Sequence, residues 1–183
     1  MKKDKEYLML REEILHLDII INNTITLFYT FISAIILFVL ERKNSATLIL
    51  VSYIIIIPAY RIVVGKRKNI FRIAAYLYVF LEGDTFNWER RQRKMPNASG
   101  ILSFSRISSI NYPFLFVSTA VMIIFAWKFK WNGLKSGAGL AEVSIAIILY
   151  IVQLIYIFKN RKIKMDSYIK QWEEVKRNMK VSK

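Results

Sequence analysis

The chain alternates between long stretches free of Asp, Glu, Lys and Arg and shorter stretches crowded with them. The first charge-free run, 19–40, has 22 residues. As a helix it extends about 33 Å, enough to cross a hydrocarbon layer of about 30 Å. The second, 44–60, contains TLILVSYIIIIPAY and becomes long enough when its helix continues through Arg61 to Gly65, with the guanidinium directed to lipid headgroups. Pro58 predicts a kink there. The third, 107–127, runs into FAWKFKW, which sets Trp127 and Trp131 where an interfacial aromatic belt belongs. The fourth, 143–158, has 16 residues and spans only if its helix starts upstream near Gly139 and takes in Glu142. The pattern predicts an all-α, polytopic membrane protein in one domain, with four transmembrane helices at about 19–40, 45–65, 107–127 and 139–158.

The charged stretches carry their own periodicity. Before the first span, Tyr7, Leu8, Leu10, Ile14, Leu15 and Leu17 mix with Lys5, Glu6, Arg11, Glu12 and Glu13 at spacings close to helical, with no Gly or Pro up to Ile19, so the first helix is expected to project beyond the membrane. In the loop 66–106, Ile70, Ile73, Ala74, Leu77 and Leu81 form one face of an amphipathic helix that Gly83 ends. Asp84, Thr85 or Asn87 can cap a second short helix carrying Trp88, Glu89, Arg90, Arg91 and Arg93. The result is an amphipathic helical hairpin between spans two and three. It reads either as a docking surface or as a membrane-hugging element held to anionic lipid by its basic cluster. The tail 159–183 places Ile163, Tyr168, Ile169, Trp172 and Val175 on one side and predicts a helix pairing with the N-terminal extension.

Charge gives the spans a direction. The chain has 28 Lys and Arg against 13 Asp and Glu. Of the 28, 23 fall in 1–18, 61–106 and 159–183, while the opposite loops hold only Arg42, Lys43, Lys128, Lys130 and Lys135. Positive charge is retained in the cytoplasm, so both termini and the long loop are expected there, in a bacterial inner membrane whose anionic inner leaflet is the lipid partner. The first run is longer than the apolar core of a cleavable leader and reads as a retained anchor. Once topology has accounted for most of the positive excess, no motif or stacking platform remains to support nucleic acid as a direct partner.

Composition narrows the chemistry. With no Cys and one His, thiolate zinc sites, iron–sulfur clusters, a cysteine nucleophile and multi-histidine sites are excluded. No H-E-x-x-H, G-x-S-x-G, P-loop or D-x-x-D-G run occurs. The expectation is no enzyme and no cofactor. Polar residues inside the spans are the remaining candidates. Asn22, Thr26, Tyr29 and Ser33 form a stripe on the first span, Asn111 and Ser118 share a face of the third, and Glu142 and Gln153 share a face of the fourth. These stripes are expected to point away from lipid. They either pack helices closely or line a pathway formed between protomers of a homo-oligomer, with Glu142 at its entrance favouring cations.

The run R-I-A-A-Y-L-Y-V-F-L-E followed by F-N-W-E-R-R resembles a group of small bacterial multi-pass membrane proteins with an R-I-x-x-Y-x-x-V-F-x-E helix before an N-W-E-x-R turn. The resemblance covers about one eighth of the chain. It implies a cytoplasmic signature at Arg72, Tyr76, Phe80, Glu82, Asn87, Trp88, Glu89 and Arg91, and it implies no activity. With the neighbouring Arg90 and Arg93 this is the expected docking surface for a cytoplasmic protein or ligand trigger. Three functions are compatible with these features: an oligomeric membrane-permeabilising effector, by analogy with those of bacterial antiviral defence; an accessory or immunity-type subunit of another membrane protein; and a small solute channel or transporter.

Overall fold

The structure is a computed structural model and describes residues 2–41, 46–81, 108–129, 136–160 and 165–181. Helix α1 covers Lys2–Glu41, α2 Ala46–Leu50, α3 Ser52–Tyr76, α4 Ser108–Lys128, α5 Gly137–Asn160 and α6 Met165–Val181. A π-helical turn, Leu77–Leu81, continues α3 without a break. The described residues contain no strand. Among the described residues four stretches are long and apolar enough to cross a membrane: Lys3–Glu41, Ala46–Leu81, Asn111–Lys128 and Gly137–Asn160.

Local chemistry explains the helix limits. Ser136 caps α5, its Oγ accepting from the Gly139 backbone N–H at 3.2 Å; α5 starts at Gly137 and includes Glu142, as the length of the fourth run required. Pro58 lies inside α3, and the interruption falls upstream at Val51. There Val51 N–H donates to Leu48 O at 3.2 Å and Ile54 N–H to Val51 O at 3.0 Å, the tighter three-residue closure that often joins two helices. The amphipathic segment expected to form its own helix is instead the continuation of α3. Ile70, Ile73, Ala74 and Leu77 are buried on it as the spacing foretold.

The chain divides into two compact units. The terminal unit comprises Met1–Asn22, Val64–Ile107 and Ile163–Lys183; the bundle unit comprises Asn23–Val63 and Ser108–Lys162. In the terminal unit α1 and α3 run antiparallel. Glu6 accepts from the Tyr76 hydroxyl at 2.8 Å, and Arg67 Nη1 meets Asp18 Oδ1 at 3.2 Å. Tyr7, Ile14, Leu17 and Ile21 supply the buried face of α1. The tail helix α6 packs Ile169 against Ala75 and Val79, so its partner is the end of α3 and the π turn.

In the bundle unit the helices alternate in direction. Phe28 with Phe114 and Leu40 with Lys128 show α1 and α4 rising together. Tyr53 with Ser118 and Tyr60 with Asn111 show α3 opposed to α4. Thr47 with Glu142 and Tyr60 with Tyr156 show α2 and α3 running parallel to α5. Phe28, Ile56, Phe114 and Val121 fill the interior, while Ile54, Phe116, Ile123, Trp127 and Phe158 face outward. An outward shell of this kind suits hydrocarbon and would be an aggregation hazard in water.

Candidate functional site

Two hydroxyl layers cross the interior of the bundle unit. In the first, Tyr60 donates to Asn111 Oδ1 at 2.9 Å, with a longer contact of 3.5 Å to the Tyr156 carbonyl. Asn160 Nδ2 donates to that same carbonyl at 2.7 Å. The Tyr60 ring stands edge-on to Phe114, centroids 5.2 Å apart. In the second layer Tyr53 donates to the Ser118 carbonyl at 3.0 Å. Thr119 donates to Leu115 O at 2.9 Å, which leaves Tyr150 as the donor in the 3.2 Å bond between their hydroxyls. Tyr53 and Tyr60 are both fully buried. They lie seven residues apart on α3, as Asn111 and Ser118 do on α4, so the opposed helices bring both pairs into register at once.

Gln153 lies between the layers, one turn of α5 from Tyr150 and one from Tyr156. Its side chain has no exposure, and neither Nε2 nor Oε1 has a hydrogen-bond partner among the described residues. The hydroxyls of Ser52 and Ser118 and the Asn111 Nδ2 are likewise buried without a partner. An amide taken from water into an apolar layer without hydrogen bonds costs about 2–7 kcal/mol. At one end of the bundle Glu142 Oε1 accepts from Thr47 Oγ1 at 3.0 Å. Arg61 lies over the Tyr156 ring, 5.7 Å from its centroid. Among the described residues no group of three or more His, Asp or Glu is placed to hold a metal ion.

The candidates expected from sequence divide between two locations. Asn111, Ser118 and Gln153 are buried inside the bundle, and Glu142 is half-buried at its end. Asn22, Thr26, Tyr29 and Ser33 stand exposed on the outer face of α1. Thr30, whose hydroxyl bonds the Thr26 carbonyl at 3.0 Å, extends the same row. The inward face of α1 is apolar: Ile21, Phe28, Ile32 and Val39. Within this chain, therefore, the α1 stripe is on the outside and the α4 and α5 stripes are on the inside.

The expected signature is described in part. Tyr76 and Phe80 stack at 5.0 Å, and Trp172 of α6 meets both edge-on at 5.2 and 6.0 Å. Trp172 Nε1 donates to the Arg72 carbonyl at 3.1 Å, and Lys176 donates to the Val79 carbonyl while lying over Phe80. The ammonium makes this a charge-assisted bond to a backbone carbonyl. Arg72 is exposed. Glu82, Asn87, Trp88, Glu89, Arg90, Arg91 and Arg93, the second half of the hairpin, lie outside the described residues.

The sequence reasoning missed Tyr53, Tyr60, Tyr150, Thr119 and Asn160 in the bundle, and Glu6 and Lys176 in the terminal unit. The matched seven-residue spacings of Tyr53 with Tyr60 and of Asn111 with Ser118 were the available signal. Comparison with protein-family models, curated proteins and solved structures finds no match to this chain.

Proposed function

We propose that the chain is a non-enzymatic integral protein of a bacterial inner membrane that assembles into oligomers and permeabilises the membrane when its cytoplasmic surface is triggered. One observation carries this reading. The outward row on α1, Thr26, Tyr29, Thr30 and Ser33 with Asn22 at its start, lies on a helix long and apolar enough to cross a membrane. Lipid chains offer amides and hydroxyls no partners. A second copy inserted in the same direction presents the same groups at the same depth. Rows brought together in this way pack closely, or border a water-filled path between protomers.

Charge and helix direction support the orientation. Four crossing helices of alternating direction return both chain ends to one side, and 23 of the 28 Lys and Arg belong to that side. The anionic inner leaflet then meets the basic stretches, and a protein or ligand acting on the 72–94 signature is the trigger. Such an effector fits antiviral defence. The test is inducible expression in bacteria with a membrane-potential dye, alongside cross-linking in membranes. Depolarisation with homo-oligomers supports the reading. An inserted protein that never depolarises the membrane overturns it, and one stoichiometric partner without homo-oligomers makes it an accessory subunit.

A further inference from the structure

We propose that the interior of a single bundle unit binds water at Gln153, and that this water joins the two hydroxyl layers into a column that conducts protons. The inference goes beyond the oligomeric reading, because every group in the column belongs to one protomer.

Placement carries the argument. Gln153 is fully buried with both amide atoms unpaired among the described residues. Buried polar groups without protein partners are the places where ordered water is held. Gln153 lies three positions from Tyr150 and three from Tyr156 along α5, one helical turn from each layer. A water held by its amide is the group that can extend hydrogen bonding toward them. Gln153 suits this position on both sides, with Nε2 donating to one water and Oε1 accepting from another. Beyond it, Tyr60 and Tyr53 each donate to a carbonyl oxygen, which leaves their hydroxyl lone pairs to accept from a water. Ser118, with an unpartnered buried hydroxyl, adds a further donor.

The same groups select the transported species. Among the described residues no charged side chain is buried in this interior, so a metal cation stripped of water would meet no counter-charge. An excess proton passes by forming one O–H bond on a tyrosine hydroxyl as that hydroxyl's own O–H turns from its carbonyl acceptor and breaks toward the next water. Each water or hydroxyl therefore ends with the protons it began with, and no atom accumulates. Gln153 takes no proton; it is a positioning residue.

The experiment uses full-length protein reconstituted into phosphatidylethanolamine–phosphatidylglycerol vesicles with an entrapped pH dye, driven by a potassium diffusion potential. The expected result is a proton flux that Gln153→Leu lowers about tenfold and Gln153→Asn largely restores, with no accompanying sodium flux. Equal flux in the wild type and Gln153→Leu, absence of proton flux, or sodium moving with the protons overturns the proposal. A second measurement does not depend on flux or on the Leu variant's folding. In vesicles of protein labelled at its glutamine side chains, solid-state NMR reads magnetisation transfer from water to the Gln153 amide, identified by the signal lost in Gln153→Asn. Transfer supports the site and its absence removes it. A large leak of ions and dye indifferent to Gln153 sinks this inference and leaves the oligomeric pore standing. A Gln153-dependent proton flux without cellular depolarisation does the reverse.

Discussion

The Tyr60–Asn111 pair offers the sharpest check on the interior of the bundle. Tyr60→Phe keeps the ring, its edge contact with Phe114 and its complete burial, and removes only the hydroxyl. Asn111 Oδ1 then loses its 2.9 Å bond, while Asn111 Nδ2 already has no partner among the described residues, so the whole amide is orphaned at 6% exposure. An orphaned buried acceptor costs about 1–3 kcal/mol. Hydrogen bonds between membrane helices average about 0.6 kcal/mol and reach about 1.7, so the expected loss is about 1–2 kcal/mol. Asn111→Leu is not its mirror image. The Tyr60 hydroxyl keeps the Tyr156 carbonyl, now 3.5 Å away, as an alternative acceptor, and an unpaired Nδ2 disappears with the side chain. That variant should lose less, about 0–1 kcal/mol. After Asn111→Leu, the further change Tyr60→Phe should cost little, giving a coupling of about 1 kcal/mol. Equilibrium unfolding in mixed detergent–lipid micelles with rising dodecyl sulfate, followed by circular dichroism, measures all four corners of the cycle. Single effects that add to within about 0.3 kcal/mol would refute the pairing; so would Asn111→Leu proving costlier than Tyr60→Phe.

The remaining predictions test the other surfaces. The chain has no Cys, so single cysteines report without background: Thr26→Cys and Ser33→Cys should cross-link copies in the membrane, whereas Ile32→Cys, at a position 3% exposed, should not. Cross-linking that ignores the helix face would remove α1 as the oligomer contact. Trp172→Ala takes away the bond to the Arg72 carbonyl and the edge contacts with Tyr76 and Phe80, a loss of about 2 kcal/mol. Limited proteolysis within α6 should accelerate accordingly, with Trp172→Phe intermediate; an unchanged cleavage rate contradicts the docking of α6 on α3. Asp18→Asn should cost less than about 1 kcal/mol and less still in high salt, because Asp18 is 45% exposed in its 3.2 Å pair with Arg67. A larger, salt-independent loss would show the pair to be shielded from solvent.

How much was legible in the sequence depended on which physical constraint governed each residue. The four helices long and apolar enough to cross a membrane could be read because charge in hydrocarbon is costly, so charge-free runs mark such helices directly. The end of α3 could not be read in this way. Lys66, Arg67 and Lys68 end an apolar run, yet nothing in them breaks a helix, and α3 continues through them to Tyr76. Charge limits a span, whereas glycine, proline and capping limit a helix. The buried tyrosine pairs were half legible. Both seven-residue spacings are visible in the chain, but pairing them requires knowing that α3 and α4 are opposed neighbours, which no periodicity within a single helix reports.

The α1 stripe shows a conflict between two rules and which one prevailed. Polar groups in a span are expected to face protein, which pointed Asn22, Thr26, Tyr29 and Ser33 inward. Against this, Tyr7, Ile14, Ile21 and Phe28 recur every seventh residue along the same uninterrupted helix and are all buried. A repeat of seven keeps one seam facing its neighbours over many turns. In the charged N-terminal part of α1 the face is fixed by burial of Tyr7, Ile14 and Leu17. A helix with no break must carry that same face onward into its apolar part. The polar residues are left on the outside by continuity; the Thr30 hydroxyl is met by the Thr26 carbonyl of its own helix, and a second protein surface would supply partners for the others. Tyr53, Tyr60, Asn111, Ser118 and Gln153 on α3, α4 and α5 turn inward instead, with Tyr60 bonding Asn111 and Tyr53 the Ser118 carbonyl. On the oligomeric reading proposed above, the division gives contact between copies to α1 and internal polar chemistry to the other three helices. Loss of Thr26 and Ser33 as polar residues should then weaken oligomers while leaving the Gln153-dependent proton flux of each protomer intact.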